Sequence, residues 1–455
     1  MNDRVVTQFD LNERLQGVSM PMVQLFPDDL ISAERFTPTE KAAKERASTL
    51  GSESPVAESI QFYSASLRDL PAVTRDQWRA LEQCASTPNV FLSPSFASTA
   101  ATWLSIERPP LAVWGEMPDG RLVAWGLFEE VPPSAMNPFA ILRCWQNTYT
   151  FRNGLLLAPG TEQIALAAFW KFVRTEGWHA VEFPRLVLDS TEAEHLQRSS
   201  ADNQLGEVAG RIWNRARLLR ANPNEVPRRE ACSSKRAKSL RRGRRWLERF
   251  GLVSVTVQRE TDKIPASAET LLTLESMGWK ATVGTALLST AEHAAFFREL
   301  CRKLAAQQQI AFVELRVGND VIASLSVLIS GNKGFAFKIG WNPQWERGCP
   351  GFLLMDHLAQ HLTELFPELT EVDSCSSPSS FIGHVWPESV RVTCCLFPLS
   401  RRMRMFLQAK SGLRAVRDLM SSFLSGPADV SSQTKPPTPI DAPPQSDVTA
   451  ELEEI

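Results

Sequence analysis

The sequence predicts an α/β protein of two similar halves, with mixed sheets flanked by helices and disordered termini, and three observations carry that reading. Apolar or alternating runs of strand length recur between Gly- and Asn-containing turns. The order strand, strand, strand, helix, strand occurs twice. Both ends lack the material for a core: residues before Ser59 mix charges with Ser, Pro and Ala, and "GPADVSSQTKPPTPIDAPPQSDVTAELEEI" at the far end is rich in Pro, Ser and acids. The expected division is 1–59 disordered, 60–230 a first half, 231–424 a second half, and 425–455 a disordered tail. At 455 residues and 43% hydrophobic content the chain can fill two or three cores.

The elements follow in chain order. "LAVWGEM", a Pro118-Asp119-Gly120 turn and "RLVAWGLFEEV" read as a hairpin. "GLLLAP" supplies a further extended region, "QIALAAFWKFVRTEG" a helix and "HAVEFPRL" a strand. Between the halves "KRAKSLRRGRRWLERFG" reads as a basic helix stopped at Gly251. The second half then offers "IAFVELRV", a Gly318-Asn319-Asp320 turn, "VIASLSVLIS", a Gly331-Asn332-Lys333 turn and "GFAFKIGW". A helix over Gly351 to Phe366 carries Leu354, Leu358, Leu362 and Leu365 on one stripe, and the strand "TEVDSC" follows. The later stretch "RRMRMFLQAKSGLRAVRDLMSSFL" is amphipathic and basic; closing the core of the second half is its expected task, and lying on a membrane surface the alternative.

Composition excludes some functions. No apolar run reaches the roughly 18 residues that span a bilayer, and "MNDRVVTQFDLNERLQG" lacks the layout of a secretory signal, so the cytoplasm is the expected location. Eight cysteines with no CxxC pair argue for reduced thiols and against a zinc site. His357 and His361 stand at i, i+4, but without an HExxH glutamate or an evident third ligand they read as two surface histidines, and no metal is expected. A net charge of −2 argues against nucleic acid as a partner of the whole protein. The basic helix keeps a local alternative open: a solvated helix packing through Leu240 and Leu247, or a dock for a polyanion.

Before the Gly351 helix the chain reads Gln344, Trp345, Glu346, Arg347, Gly348, Cys349, Pro350. A helix start exposes unpaired N–H groups and the positive end of the dipole, and Pro350 suits the first helical position. Gly348 and Gly351 would let a phosphate approach the backbone, and Arg347 would add a charged contact. A plain chain reversal is the competing reading of the same residues.

"LESMGWKATVGTALL" resembles the Glu, Gly-Trp-Lys, Gly-Thr-Ala-Leu signature of the acetyltransferase family named for BioF and the cellulose-biosynthesis protein CelD. "FKIGWNPQWERGCPGFLLMDHL", "EVDSCSSP" and "GHVWPESVRV" resemble that family's next three landmarks, in the same order. The resemblance covers about Lys235 to Val392, and more loosely Leu70 to Leu188. It implies two GNAT-like halves in tandem, similar to the doubled fold of the Fem transferases. The implied donor is acetyl-CoA or another acyl-CoA, its pyrophosphate on Gln344, Arg347, Gly348, Cys349 and Gly351. Three positions depart from the family pattern: Cys349 in place of Ser, Trp341-Asn342 in place of Tyr-Asp, and Ala281 in place of Gly.

Transfer to an amine requires a base, an oxyanion donor and a proton for the leaving thiolate. In such a fold the thioester lies where the strands on either side of the phosphate-binding helix splay. Asp373 and Glu275 are therefore the candidate bases, with loop capping the alternative for Asp373. Both tyrosines, Tyr63 and Tyr149, fall in the first half, so Ser374, Cys375 or water is the expected acid. Trp279, Lys280 and Lys338 are candidates for the acceptor side, Lys338 because a charge inside an apolar strand needs a partner or a cleft. The expected function is acyl transfer to an amine or hydroxyl of a small-molecule or saccharide acceptor, in exopolysaccharide or cellulose biosynthesis. A Fem-like aminoacyl-tRNA-dependent transferase and a catalytically degenerate scaffold are the alternatives.

Overall fold

A computed structural model describes residues 60–105, 107–135, 137–220, 234–278 and 284–410. The expected disordered segments, 1–59 and 425–455, lie outside the described residues, as do 411–424.

The chain opens with strand β1 (Gln61–Ser66) and helices α1 (Ala72–Cys84) and α2 (Pro94–Trp103). Ser93 Oγ accepts the amide of Phe96 and Pro94 takes the first helical position, which together fix where α2 begins. A meander of β2 (Leu111–Glu116), β3 (Leu122–Val131) and β4 (Ile141–Cys144) comes next, with a two-residue β5 (Leu156–Leu157) beside β3. Helix α3 (Glu162–Thr175), β6 (Ala180–Val187), α4 (Thr191–Asp202), β7 (Val208–Ala209) and β8 (Trp213–Leu219) complete this half. The basic helix α5 (Ser234–Leu247) follows. The earlier order then returns as β9 (Val253–Gln258), α6 (Ile264–Met277), α7 (Ala291–Ala305), β10 (Ile310–Val317), β11 (Asp320–Ser330) and β12 (Lys333–Trp341). Helix α8 (Pro350–Leu365), β13 (Glu371–Asp373) and β14 (Glu388–Pro398) close it.

All the strands belong to one sheet, whose main path runs β1-β2-β3-β4-β6-β14-β8-β13-β12-β11-β10-β9. Read from either end it gives three antiparallel pairs and then one parallel pair, β4 with β6 and β12 with β13. The middle is an exchange. Strand β8 of the first half pairs with β13 of the second, and β14 of the second pairs with β6 of the first. Each half thus completes the other's sheet, and the duplication read from the sequence is present as a crossed pair.

Two sequence expectations change here. The third strand of the first meander is β4, whereas 154–159 contributes only Leu156 and Leu157. Four residues with a charge among them are too short for a periodicity to register, and Arg143 is accommodated because its Nε donates to Glu182 at 2.8 Å. Residues 401–410 are helical, but Met403 packs with Ile141 and Ala180 of the first half as well as with Leu396 of β14, away from the main core of the second half. The exchange is the reason, since β14 delivers the chain to the edge of β6.

One core crosses the boundary between the halves. Phe91 and Phe96 of the first half meet Phe335, Phe296 and Phe337 of the second edge to face, with ring centroids 5.4, 5.7 and 6.3 Å apart. Helix α5 packs through Leu240, Gly243 and Leu247. A Cβ on Gly243 would come within 2.7 Å of the Gly348 carbonyl oxygen. Alanine in a helix interior gains about 1 kcal/mol over glycine, but pushing two backbones apart costs about 1–3 kcal/mol. Gly243→Ala is therefore expected to destabilise, and a urea midpoint above that of the parent would refute the close packing.

Candidate active site

Strands β12 and β13 run parallel for three residue pairs, ending at Phe335 opposite Asp373. Beyond that point β13 stops, while β12 continues to Trp341 through a bulge facing Ser326 and Val327. The parted strands are bordered by two residues in left-handed backbone, Cys375 at φ 52° and Cys349 at φ 51°. Non-glycine residues adopt that region at a cost and concentrate at functional turns.

Lys338 follows this bulge, paired with Ser326. Its Nζ lies 3.8 Å from Glu275 Oε1 and 4.5 Å from the centroid of the Tyr149 ring. Glu275 comes from the last turn of α6, where the missing Cβ of Gly340 lets the two backbones touch, and its other oxygen accepts the amide of Leu287 at 2.9 Å. Tyr149 comes from the first half. Its ring stacks on Phe296 at 5.3 Å, and its hydroxyl lies 3.0 Å from His293 Nδ1 of α7. Burial, reinforced by Glu275, pushes the phenol pKa well up, and burial with nearby Lys338 pulls His293 below the ordinary histidine value. A protonated tyrosine thus stands against a neutral histidine beside an ammonium group.

Neither Tyr149 nor His293 is among the candidates taken from the sequence. Tyr149 was excluded there as a first-half residue, and the shared core is what brings it across. The available signal was a lone tyrosine in the aromatic loop "WQNTYTF".

Asp373 and Ser374 lie under this loop. Asp373 Oδ2 accepts from Arg215 Nη2 at 2.6 Å, and Oδ1 accepts the amide of Cys375 at 2.9 Å. Arg215, on β8, donates its other terminal nitrogen to the Phe151 carbonyl at 2.6 Å, and Arg185 donates to the Thr150 carbonyl. The chain from Asp373 through Arg215 therefore ends two residues from Tyr149. Ser374 donates its amide to Ala216 and shares a hydrogen bond with Ser376, 2.8 Å between hydroxyl oxygens. Trp279 and Lys280 lie outside the described residues.

The turn before α8 is a short 3-10 segment, Pro343–Gly348, capped by Asn342 Oδ1, which accepts from the Gln344 amide at 3.0 Å. Gln344 and Arg347 are exposed. The space a side chain would take at Gly348 is filled by Leu247, and at Gly351 by the Trp341 indole. These glycines thus serve packing between chain segments. The start of α8 nonetheless favours an anion: its first turn holds no acid, and Cys349 makes no capping bond. Burial pushes the Cys349 thiol up against the pull of Arg236. The matching helix of the first half, α3, carries Glu162 in its first turn.

A cavity of about 1050 Å³ lies between α5 and α8, lined by Arg241, Arg244, His357 and His361 over an apolar floor. It shares no residue with the Tyr149 cluster, so volume and chemistry part company, and the convergent polar groups decide the choice of site. The two histidine rings are 4.3 Å apart and half-buried rather than on the open surface; burial lowers His357 to about 4. Among the described residues no group of three or more His, Cys, Asp or Glu is arranged to hold a metal ion, and no helix is long and apolar enough to cross a membrane.

Residues 234–378 match the family model described as an acetyltransferase (GNAT) domain. This segment is similar to GNAT acetyltransferase domains. It holds α5, the Glu275–Lys338 pair, the α8 start and Asp373. The BioF- and CelD-like subfamily is a finer assignment than this match makes. No curated protein matches the chain. Solved structures similar to it include FemX, at 9% identity over 74% of this chain and 98% of that chain, TM-score 0.48. A conserved protein of unknown function from Bacteroides thetaiotaomicron has 10% identity over 74% and 99%, TM-score 0.45. A tandem GNAT protein from the clavulanic acid biosynthesis pathway has 13% identity over 75% and 99%, TM-score 0.36.

Proposed function

We propose that this chain transfers an acetyl or other acyl group from a coenzyme A thioester to an amine or hydroxyl acceptor, with its chemistry at Tyr149, Lys338 and His293. The observation that carries the reading is the meeting of a first-half tyrosine with a second-half lysine and histidine beside the parted strands β12 and β13. The donor supplies an activated acyl carbon. The chain's residues supply charge and protons.

In this reading Lys338 offers its ammonium to the oxygen that becomes negative as the acceptor nitrogen attacks, and Glu275 holds Lys338 in place. As the carbon–sulfur bond breaks, Tyr149 gives its proton to the departing thiolate. Its oxygen recovers one from His293 Nδ1, and His293 takes the acceptor's proton at Nε2 directly or through water. One proton leaves the acceptor and one reaches the thiol. Asp373 acts through Arg215 to hold the Tyr149 loop, and Ser374 to hold the strand end. Gln344, Arg347, Gly348, Cys349 and Gly351 frame the start of α8, where the donor's pyrophosphate would rest. Trp279 and Lys280, which follow Glu275 in the chain, remain the candidates for the acceptor side. A saccharide amine of polymer synthesis is the acceptor class that the family resemblance suggests.

The test is a thermal shift. Acetyl-CoA at about a hundred times its Kd adds about 2.7 kcal/mol to a state that alone binds it, so the melting temperature should rise. An unchanged melting temperature would remove coenzyme A as the donor and leave the aminoacyl-tRNA-dependent transferase and the degenerate scaffold as the readings.

A further inference from the structure

Helix α5 carries a feature that acyl transfer does not use. Lys235, Lys238, Arg242 and Arg245 follow one another at spacings of three, four and three, which sets them on one line along α5, and Arg249 follows in the turn just past the helix end. All five are exposed. Gly243 and Leu247 are clamped against the turn before α8 and Leu240 is buried, so the cationic line is held facing outward. Glu248, the one acid between Lys235 and Leu252, is paired with Arg244, off the line, at 3.1 Å. Among the described residues none of the five pairs with a carboxylate.

At its end the line meets apolar surface. Phe250 is 58% exposed and Leu252 79% exposed. The Phe250 ring is braced edge to face by Trp246 at 4.9 Å and by Trp345 at 5.4 Å, and the Arg347 guanidinium lies 5.7 Å from the Trp246 ring. Single exposed apolar residues are ordinary. A projecting phenylalanine and leucine, supported by two indoles and continuous with a line of five cations, are not accounted for by folding.

We propose that this face docks on a lipid bilayer carrying anionic headgroups, α5 lying flat and Phe250 with Leu252 entering the acyl boundary. The helical part of the line, from Lys235 to Arg245, spans about 15 Å at 1.5 Å per residue, and each cation near such a surface strengthens binding about fivefold. Indoles and arginines beside an inserted apolar pair suit the headgroup level. A nucleic acid duplex would neutralise the same cations but leave Leu252 and Phe250 in water, whereas a bilayer covers both. The proposal is independent of the donor reading: a chain that bound no coenzyme A would still dock.

Flotation of the full chain with vesicles tests it. The chain should float with phosphatidylcholine vesicles that contain phosphatidylglycerol and stay behind with phosphatidylcholine alone, and added salt should release it as the charges are screened. Lys238→Glu with Arg242→Glu and Arg245→Glu should abolish flotation. Phe250→Ser with Leu252→Ser should weaken it at least tenfold at an unchanged melting temperature. No flotation with phosphatidylglycerol vesicles, flotation indifferent to Phe250 and Leu252, or tighter binding to polyuridylate than to the vesicles would each overturn the proposal.

Discussion

Tyr149→Phe is expected to lower turnover on the order of 10²-fold or more, with the melting temperature and the affinity for acetyl-CoA nearly unchanged. The substitution removes one oxygen and keeps the ring, so the stack on Phe296 and the edge contact with Phe337 survive. What it removes is the proton held beside Lys338 and linked to His293. Since burial raises the Tyr149 pKa, the hydroxyl stays protonated through the neutral range and can act as an acid there. His293 sets the other limit. Its folded value lies below the ordinary 6.5, so activity should fall on the acid side of that value, as the ring takes up a proton and can no longer accept one. Stability shifts in the same direction: the unfolded chain binds the proton first, and protection from this group is lost as pH falls through the ordinary value towards the folded one. A Tyr149→Phe enzyme with parental turnover would mean that the thiolate is protonated by something else.

The second large effect belongs to the pair beneath the loop. Asp373→Ala should cost about 3–5 kcal/mol, because it leaves the buried Arg215 guanidinium uncompensated. The ion pair spans the exchange between β8 and β13, so the loss should appear as a cooperative drop in the urea midpoint. Asp373→Asn separates the two readings of this residue. Asn keeps oxygen and shape, and should preserve much of the hydrogen bonding while weakening the charge pair. As a positioning residue Asp373 then gives a modest fall in kcat with a parental pH profile. As a general base it gives a collapse in kcat and loss of the acid limb, with stability intact.

Much of the fold was legible because the signals were local. Strands β10, β11 and β12 follow the apolar runs between the Gly318 and Gly331 turns, and α8 begins at Pro350, where a missing N–H does no harm. The exchange of β8 and β14 was not legible. Strand partners many residues apart are chosen by the assembled sheet, and nothing in "WNRARLL" or "ESVRVTCCLFP" names its neighbour. That gap also misdirected the search for the acid. Lys338 could be singled out as a charge in an apolar strand and Asp373 by its place at the end of the strand after the α8 helix, but Tyr149 gains its position only when the two halves share a core. Gly348 and Gly351 were ambiguous, since a glycine freed for a ligand and a glycine packed under Leu247 or Trp341 look the same in sequence.

A structure determined with a non-hydrolysable acetyl-CoA analogue tests the central claim most directly. The account requires the thioester carbonyl between β12 and the end of β13, within hydrogen-bonding distance of Tyr149 Oη or Lys338 Nζ, and the pyrophosphate at the start of α8. An analogue seated in the cavity between α5 and α8, with Tyr149 and Lys338 out of reach of its carbonyl, would contradict it.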